Sequence, residues 1–497
     1  MLPEIKMRFH LLAAALAGLG LRILFIVRFP VSDAGDSPFY IDLAWNWLKH
    51  GVYGLVVNGH LTPVDMRAPG YPAFLVAIFA IGGKSELSVM FAQAGLDLLT
   101  CFAIALIAAR ATPPAARRRA AIAALWLAAL CPFTANYTAA VLAETLAIFL
   151  TAVATLVLLE TELCASASSA NADRAKASLR PWLLGGIVVG LGTLVRPEAP
   201  LLLLAAGAVL VMKWRRPANW PRLLRATTLM AIGMILPLAP WAARNWRTLH
   251  KVQFLAPRYG VLPGELSPQG FDAWTHTWLW RFRDVFNVNW KLDSNQIDPA
   301  DIPSSAFDTP AERSRVAQLL ETYNETTTLT PAEDRAFGEI ATARTVRHPL
   351  RTWAKVPLLR SLALWLAPRV ELLPYTGQIF PIAKEWDEDR TDFSVSVALV
   401  FINIAYLALA AAGAWIGLKS PSIRTAAAFL VTFIAVRTLF ISGFAETPEP
   451  RYVLECFPAV VALAALAVAR VSSPQPVRDG SLADKFAETV PSRGFRA

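Results

Sequence analysis

Long runs of apolar residues recur along this chain, and they restrict its fold more than any other feature. A helix needs about 17 to 25 mostly apolar residues to cross roughly 30 Å of hydrocarbon, because its backbone polar groups find no water there. Only 17% of the residues are charged, against about 25% in soluble domains. The sequence therefore predicts an all-α polytopic membrane protein. The predicted spans, some of them short, are residues 9–29, 86–110, 119–135, 139–159, 182–196, 198–213, 226–243, 393–418, 424–443 and 453–470.

The cations of the connecting loops predict how these spans are oriented. Basic residues crowd loops such as 117–119, whereas the opposite loops carry little beyond Arg196 and Arg451. Because basic loops stay in the cytoplasm, both termini are predicted there, with residues 30–85 and 244–392 outside. The net charge of +10 then reflects topology and attraction to the anionic headgroups of the bilayer, and no nucleic-acid partner is expected.

The same distribution predicts how the chain is divided. The predicted parts are an amino-terminal transmembrane module (1–243) that carries the first external loop (30–85), an external loop with interfacial helices (244–392), carboxy-terminal transmembrane helices (393–470) and a disordered cytoplasmic tail (471–497).

Shorter segments outside the spans are also predicted to be helical. The strip at 71–82 has only about a dozen apolar residues, which favours a juxtamembrane helix over a crossing. The polar section between Pro310 and His348 favours helices, and the short apolar section Val356 to Pro368, which holds Arg360, favours an interfacial helix. The external region is therefore predicted to be mostly helical.

Acids and a cation follow the first span. Asp33 and Asp36 lie in a probable turn near Tyr40, and Arg67 precedes a Pro-Gly pair. A carboxylate desolvated by membrane and aromatic rings has a raised pKa and can draw a proton from an acceptor hydroxyl or amine. A helix cap or a solvated loop acid is an equally good interpretation. Arg67 is predicted either to clamp a phosphate or, slightly favoured, to anchor the chain at headgroup depth.

Further charged residues lie near the predicted outer ends of spans. Glu144 is inside an apolar stretch, where an acid is costly and usually faces a cavity or a partner. For Glu144, a functional site is favoured over a purely structural ion pair with an arginine such as Arg196. Arg244 and Arg451 each follow an outer boundary, and they can converge on a phosphate headgroup, although each alone is an ordinary interface residue. The cysteines and histidines show no ligand spacing, so metal dependence stays open.

Taken in order, these motifs resemble those of the polytopic GT-C glycosyltransferases over about residues 10–465. The resemblance is greatest to the group that includes dolichyl-phosphate-mannose-type protein mannosyltransferases and lipid A aminoarabinose transferases. The motifs are Asp36-x-x-x-Tyr40, Arg67-Ala-Pro-Gly-Tyr71-Pro, Glu144 at the start of the fourth span, Pro240-Trp241-x-x-Arg244-Asn245 and Arg451-Tyr452. The aminoarabinose transferases have Lys-Pro-Pro where this chain has Arg67-Ala-Pro.

The resemblance implies a GT-C-like bundle of about 10 to 12 spans and an inverting transfer of a sugar from a polyprenyl-phosphate donor, at the extracytoplasmic face of the plasma membrane. The sugar and the acceptor stay open, and a divalent metal is neither required nor excluded. The implied roles are catalytic base for Asp36, supporting acids for Asp33 and Glu144, contacts to the donor phosphate for Arg67, Arg244 and Arg451, and a lining of the substrate site for Tyr40, Tyr71 and Tyr452.

A polytopic lipid or solute transporter or flippase is the alternative function. It would also show many spans, a buried acid and cations near the headgroups. The long external segment and the placement of the candidate groups at one membrane face, rather than at mid-membrane, favour the enzyme.

Overall fold

In the computed structural model, the regular secondary structure of the described residues is helical apart from one two-stranded hairpin, which confirms the predicted all-α class. The structure describes residues 2–32, 35–161, 179–262 and 264–469. Asp33 and the predicted tail 471–497 therefore lie outside the described residues.

The helices and strands of the first half enclose the predicted first external loop. In chain order they are α1 (Leu2–Arg28), α2 (Ser37–His50), β1 (Gly54–Val57), β2 (His60–Pro63), α3 (Gly70–Gly82), α4 (Glu86–Arg110), α5 (Arg117–Ala129), α6 (Pro132–Ala135), α7 (Glu144–Leu159), α8 (Arg180–Thr193), α9 (Leu201–Lys213) and α10 (Trp220–Leu249).

The second half begins with short helices and ends with long ones. They are α11 (Gln269–His276), α12 (Phe282–Asp284), α13 (Pro310–Thr326), α14 (Pro331–Arg347), α15 (Val356–Leu366), α16 (Ile382–Glu388), α17 (Arg390–Lys419), α18 (Arg424–Phe444) and α19 (Phe457–Val468).

In the part of the chain that the structure describes, six helical segments are long and apolar enough to cross a membrane. A seventh is added if the segments Pro114–Ala129 and Pro132–Ala139, which are bent by 47° relative to each other, form one span. The chain is therefore a multi-pass membrane protein. The six segments are Met7–Arg28, Glu86–Arg110, Pro217–Leu249, Arg390–Lys419, Arg424–Phe444 and Pro450–Val468.

The remaining predicted spans are helices too short to cross by length alone. The predicted spans 139–159, 182–196 and 198–213 correspond to α7, α8 and α9, which have 16, 14 and 13 residues. A total of 10 to 12 spans consequently stays a prediction. The strip predicted to be juxtamembrane is α3, a helix of 13 residues.

Glycines let several of these helices approach each other closely. A Cβ atom at Gly186 of α8 would lie 2.3 Å from the carbonyl oxygen of Met230 in α10. A Cβ atom at Gly413 of α17 would lie 1.8 Å from the carbonyl oxygen of Leu463 in α19. Small residues at such contacts are typical of helix packing in membranes, where the tight approach of two backbones supplies the attraction.

The loop between α1 and α4 is folded rather than open. The strands β1 and β2 pair antiparallel around Asn58 and Gly59, which both have positive φ angles of 51° and 79°. This is the conformation that an Asn-Gly hairpin turn favours. The hairpin lies between α2 and α3, so it brings the end of the loop, at Arg67, back to its beginning, at Asp36.

The segment that is predicted to be external has a hydrophobic core of its own. Phe271, Trp274 and Trp278 are buried against Phe337 of α14 and Tyr323 of α13. Both helices start at threonine N-caps, Thr309 and Thr330, which accept hydrogen bonds from the backbone N–H three residues on. The helices predicted between 310 and 348 are thus confirmed.

The apolar helix α15 joins this segment to the long helices. Ser361 bonds to Ser442 of α18 over 2.7 Å, and the indole of Trp365 donates to Thr438 over 3.0 Å. The buried guanidinium of Arg360 donates to the carbonyls of Leu279 and Ala445, both over 2.8 Å. An interfacial position for α15 stays a prediction.

Candidate active site

Asp36 and Arg67 form an ion pair across the first loop. Asp36 lies at the N-cap position of α2, but its carboxylate makes no capping hydrogen bond. Instead, Nη2 of Arg67 donates to Oδ1 of Asp36 over 2.7 Å, with about a quarter of the Arg67 side chain and about a third of that of Asp36 exposed. The acid is therefore neither a helix cap nor a freely solvated loop residue.

The motif around Arg67 fixes the position of its backbone. The hydroxyl of Tyr53 donates to the carbonyl of Arg67 over 2.9 Å. Three residues later, the backbone N–H of Gly70 donates to the carbonyl of Leu194 over 2.7 Å. A Cβ atom at Gly70 would lie 2.5 Å from that oxygen, so only glycine permits the contact. The Pro-Gly pair thus locks the start of α3 against the loop between α8 and α9.

The charges near Asp36 keep it ionised. Burial raises the pKa of its carboxyl, but the guanidinium groups of Arg67, Arg451 and Arg196 outweigh this effect, so the pKa lies below its ordinary value. The carboxylate is consequently anionic at neutral pH. The same interactions show that arginines from distant parts of the chain lie near this acid.

Glu144 connects two of these arginines. Its side chain is fully buried and forms an ion pair with Nη2 of Arg196. Nη1 of Arg451 lies 3.6 Å from the same carboxylate oxygen, Oε1. The other oxygen, Oε2, is buried and has no hydrogen-bond partner. The predicted structural ion pair between Glu144 and Arg196 is therefore present, and Glu144 also belongs to the group of charges around Asp36.

The late Arg-Tyr motif completes this group. Nε of Arg451 lies 2.6 Å from Oε2 of Glu449, and the hydroxyl of Tyr452 donates to Oε1 of Glu449 over 2.9 Å. The guanidinium groups of Arg451 and Arg196 both lie over the ring of Tyr452, at 5.4 and 5.6 Å from its centroid. Hence Tyr452 makes a cation–π interaction with each of the two arginines.

Tyr40 and Tyr71 lie next to these charges. Their rings meet edge to face with centroids 5.0 Å apart, and the Tyr71 hydroxyl donates to Oε1 of Gln93 over 2.8 Å. Burial raises the pKa of Tyr40, and the negative charge of Asp36 raises it further. Both hydroxyls therefore stay protonated and neutral.

Arg244 has a different environment. Its guanidinium donates to the carbonyls of Val64, over 2.9 Å, and Tyr53, over 2.6 Å. It also stacks on the rings of Trp241 and Tyr53, with centroid distances of 5.1 and 5.4 Å. The structure places Arg244 beside the hairpin, which it holds to α10, and away from the ion pairs of Glu144.

An apolar cavity of about 630 Å³ lies beside the site. It runs between α3, α7, α8 and α10, and its lining includes Leu146, Leu191 and Pro240. One end reaches Pro69 and Gly70, close to Arg67, and Arg244 also lines it. The cavity can therefore hold an apolar chain whose polar end lies near Arg67.

Several charged residues of the site were not predicted from the sequence. Glu449 binds Arg451, and Glu455 lies 2.7 Å from Arg437 and 3.6 Å from Arg196. Arg437 and Glu455 are ionisable residues inside the predicted spans 424–443 and 453–470, and such residues indicate a partner or a site. That signal was available in the sequence for both residues.

Metal dependence stays open. Among the residues that the structure describes, no group of three or more His, Cys, Asp or Glu side chains is placed to hold a metal ion.

Residues 66–241 match the family model for dolichyl-phosphate-mannose-protein mannosyltransferases. The chain resembles the GT-C glycosyltransferases, as its motifs predict. The matched segment begins just before Arg67, contains Glu144 and Arg196, and ends at Trp241, whereas Asp36 and Arg451 lie outside it.

Solved structures give a weaker likeness. The archaeal oligosaccharyltransferase AglB from Archaeoglobus fulgidus, in complex with an inhibitory peptide and a dolichol-phosphate, has a TM-score of 0.49 at 14% identity, over 94% of this chain and 50% of its own. ArnT from Cupriavidus metallidurans, bound to undecaprenyl phosphate, has a TM-score of 0.36 at 15% identity. The match covers 93% of this chain and 77% of the ArnT chain. This chain spans about half the length of AglB. No curated protein matches it significantly. With scores this low, the functional argument rests on the residues of the site.

Proposed function

We propose that the chain is an integral membrane glycosyltransferase that moves a sugar, with inversion, from a polyprenyl-phosphate donor to an acceptor on the extracytoplasmic face of the plasma membrane. The observation that carries the proposal is the 2.7 Å contact between Asp36 and Arg67. It puts an ionised acid beside a cation of the type that can bind a phosphate, and Arg451 and Arg196 lie close enough to act on the same acid. The match of residues 66–241 to a mannosyltransferase family supports the reaction class.

The proposed reaction needs one base and a set of cations. A carboxylate oxygen of Asp36 takes the proton of the acceptor hydroxyl, and the acceptor oxygen attacks the anomeric carbon. The bond from that carbon to the phosphate oxygen breaks, and its electron pair leaves with the lipid phosphate. The leaving group is a stable anion, so fixed cations such as Arg67 and Arg451 can stabilise it without a general acid. A glycoside hydrolase, by contrast, uses two carboxyl groups.

The ion pair also suggests how donor binding prepares the base. The donor phosphate can compete for the guanidinium because its two free oxygens accept two parallel hydrogen bonds. When the phosphate takes Arg67, Asp36 loses the cation that most lowers its pKa, and it becomes a stronger base. Binding the donor would then activate the group that deprotonates the acceptor.

The other predicted residues have supporting roles in this proposal. Glu144 orients Arg196 and Arg451, and Tyr40 and Tyr452 line the space between these charges. The apolar cavity at Pro69 and Gly70 offers room for the polyprenyl chain. A phosphate contact through Arg244 is still proposed, but it would require Arg244 to release the carbonyls of Tyr53 and Val64.

Replacement of Asp36 by asparagine tests the proposal. The full-length protein in detergent is given a polyprenyl-phosphate sugar together with a membrane lipid extract as the source of acceptor, and release of polyprenyl phosphate is measured. We expect Asp36→Asn to slow turnover by about 10²- to 10⁴-fold, which is the usual contribution of a general base. The matched control is Asp42→Asn, which changes an exposed acid of the same helix, paired with Lys84. Undiminished turnover by Asp36→Asn would exclude Asp36 as the base.

The same assay separates the enzyme from the transporter alternative. An enzyme consumes the donor in detergent, whereas transport requires a sealed compartment on at least one side. Movement of the intact donor across a vesicle membrane, with no turnover in detergent, would contradict the proposed transfer.

A further inference from the structure

A second cavity, of about 800 Å³, has no role in the reaction proposed above. It lies between the segment 280–290 of the external region and the segment 362–378, which contains the end of α15 and the loop after it. Pro450 also lines it, directly before Arg451. The cavity therefore ends next to the charged site but is formed by a different part of the chain.

One wall of this cavity is cationic. Arg281 and Arg283 both line it and are exposed. The guanidinium of Arg281 stacks on Trp280, with a centroid distance of 4.6 Å, and that of Arg283 reaches only the amide oxygen of Gln378, over 3.5 Å. The nearby acid Asp284 interacts with both arginines, and burial raises the pKa of its carboxyl despite them. Two exposed cations thus face the cavity beside a single buried acid.

The opposite wall is apolar and extends to the depth of the long helices. Leu362 and Leu366 of α15 line the cavity and are about half exposed. Between them, the carbonyl of Trp365 accepts a hydrogen bond of 2.5 Å from Asn403 of α17. Asn403 lies 13 residues into that helix, which begins at residue 390, and at 1.5 Å per residue this is about 20 Å from its start. An apolar wall at this depth can pack against acyl chains.

The inner end of the cavity holds polar atoms without partners. The side chain of Arg369 is 5% exposed, and its Nε has no hydrogen-bond partner. Oε1 of Glu371 is also buried and unpaired. Nη1 of Arg369 donates to the carbonyl of Pro450 over 3.0 Å, which ties this inner end to the backbone beside Arg451. One donor and one acceptor without partners therefore lie at the end of the cavity that is next to the charged site.

We propose that this cavity binds an anionic amphiphile whose headgroup carries both a phosphate and a hydroxyl, and that this amphiphile is the acceptor. Arg281 and Arg283 attract the phosphate, Leu362 and Leu366 contact the acyl chains, and the unpaired atoms of Arg369 and Glu371 bond to the headgroup hydroxyls. The role as acceptor rests on the glycosyltransferase function proposed above, whereas the binding does not. In the transfer, the headgroup hydroxyl gives its proton to Asp36 and its oxygen bonds to the sugar.

Photo-crosslinking in nanodiscs tests the binding. The full-length protein is reconstituted with phosphatidylglycerol or with phosphatidylcholine, each bearing a diazirine on one acyl chain, and the labelled peptides are mapped by mass spectrometry. We expect phosphatidylglycerol to label residues 280–290 and 358–378 more than phosphatidylcholine does. In Arg281→Glu/Arg283→Glu this labelling should fall by about 25-fold or more, because each basic residue next to an anionic headgroup contributes roughly five-fold in affinity and the introduced acids repel the headgroup.

The controls separate a specific site from general surface charge. Arg313→Glu/Arg335→Glu changes two exposed arginines of α13 and α14 outside the cavity and should leave the labelling unchanged. Soluble glycerol phosphate at the same concentration should not displace the lipid, because it lacks acyl chains. If Arg281→Glu/Arg283→Glu does not fold, Arg281→Gln/Arg283→Gln replaces it, with an expected loss of about 25-fold in labelling because both charges are removed.

Each result has a separate meaning for the two proposals. Equal labelling by both lipids, or labelling that the charge reversal leaves unchanged, would overturn the binding site. Labelling as expected, with no turnover of a polyprenyl-phosphate sugar, would contradict the glycosyltransferase and leave the binding site standing. Turnover with an uncharged acceptor at the same rate as with phosphatidylglycerol would contradict the role of the amphiphile as acceptor. Asp36→Asn should slow turnover by about 10²- to 10⁴-fold and preserve labelling.

Discussion

Replacement of Glu144 by glutamine distinguishes a structural ion pair from a direct role of this carboxylate in the reaction. Glu144 is fully buried, pairs with Arg196 and lies 3.6 Å from Arg451. Removal of one partner of a buried ion pair costs about 3 to 5 kcal/mol, because the remaining charge is left uncompensated. Each arginine keeps a second carboxylate, since Arg196 lies 3.6 Å from Glu455 and Arg451 lies 2.6 Å from Glu449. We therefore expect Glu144→Gln to lower the free energy of unfolding by about 3 kcal/mol, the lower end of that range.

Denaturant unfolding in detergent micelles, followed by circular dichroism, measures this loss. The Arg196→Gln variant and the double variant complete a cycle, and we expect a coupling energy of about 1 to 3 kcal/mol between the two residues. Glu160→Gln is the matched control. It removes an acid at the other end of the same helix, where Glu160 pairs with Arg110 and both side chains are nearly half exposed. Exposed pairs contribute about 1 kcal/mol or less.

Two outcomes would contradict the structural argument. If Glu144→Gln keeps the stability of the unmodified protein and loses turnover, the carboxylate acts on the substrate and not mainly on the arginines. A coupling energy near zero in the cycle would show that the contact between Glu144 and Arg196 contributes nothing to the fold.

Three further changes test other parts of the structure. Gly70→Ala should lower the free energy of unfolding by about 1 to 3 kcal/mol, because the added Cβ meets the Leu194 carbonyl; denaturant unfolding measures it. Arg244→Gln should speed hydrogen exchange of the hairpin amides, since Arg244 bonds to two of its flanking carbonyls; unchanged exchange would contradict a clamp. Burial and the charge of Glu446 raise the pKa of Asp272 to about 7, so its proton is held more tightly in the folded state. Stability should therefore fall as the pH rises from the ordinary aspartate range to about 7, and Asp272→Asn should remove this part of the pH dependence of the melting temperature.

The long helices could be predicted from the sequence because a helix forms through bonds between residues that are close along the chain. A run such as 86–110 must bond its own backbone wherever it crosses a membrane, and the helix found has the same bounds. Boundaries were less certain where apolar character fades before the helix ends. The span predicted at 226–243 is part of α10, which extends from Trp220 to Leu249 and includes Pro237 and Pro240. Its polar ends are helical because the backbone hydrogen bonds continue beyond the apolar part.

The candidate site was predicted less completely, because its residues meet only through the tertiary fold. Asp36 and Arg67 are 31 residues apart, and their contact depends on the hairpin and on the packing of Gly70 against Leu194. The motifs identified both residues but not their pairing. Nothing in the local sequence gives the distance between them, because the intervening turn can be closed in several ways.

Arg244 and Arg196 show why a motif alone does not fix a role. Both are arginines close to the end of a helix, and the resemblance favoured Arg244. In the structure, the Arg244 guanidinium donates to the carbonyls of Tyr53 and Val64, which flank the hairpin, at short distances. Arg196 lies in the short loop between α8 and α9 and contacts the carboxylates of Glu144 and Glu455. An arginine binds whichever acceptors its backbone position offers, so its role depends on the neighbouring chain. A charged residue within an apolar run, such as Glu455, offers a stronger signal, because it cannot be satisfied by water and must have a partner in the folded protein.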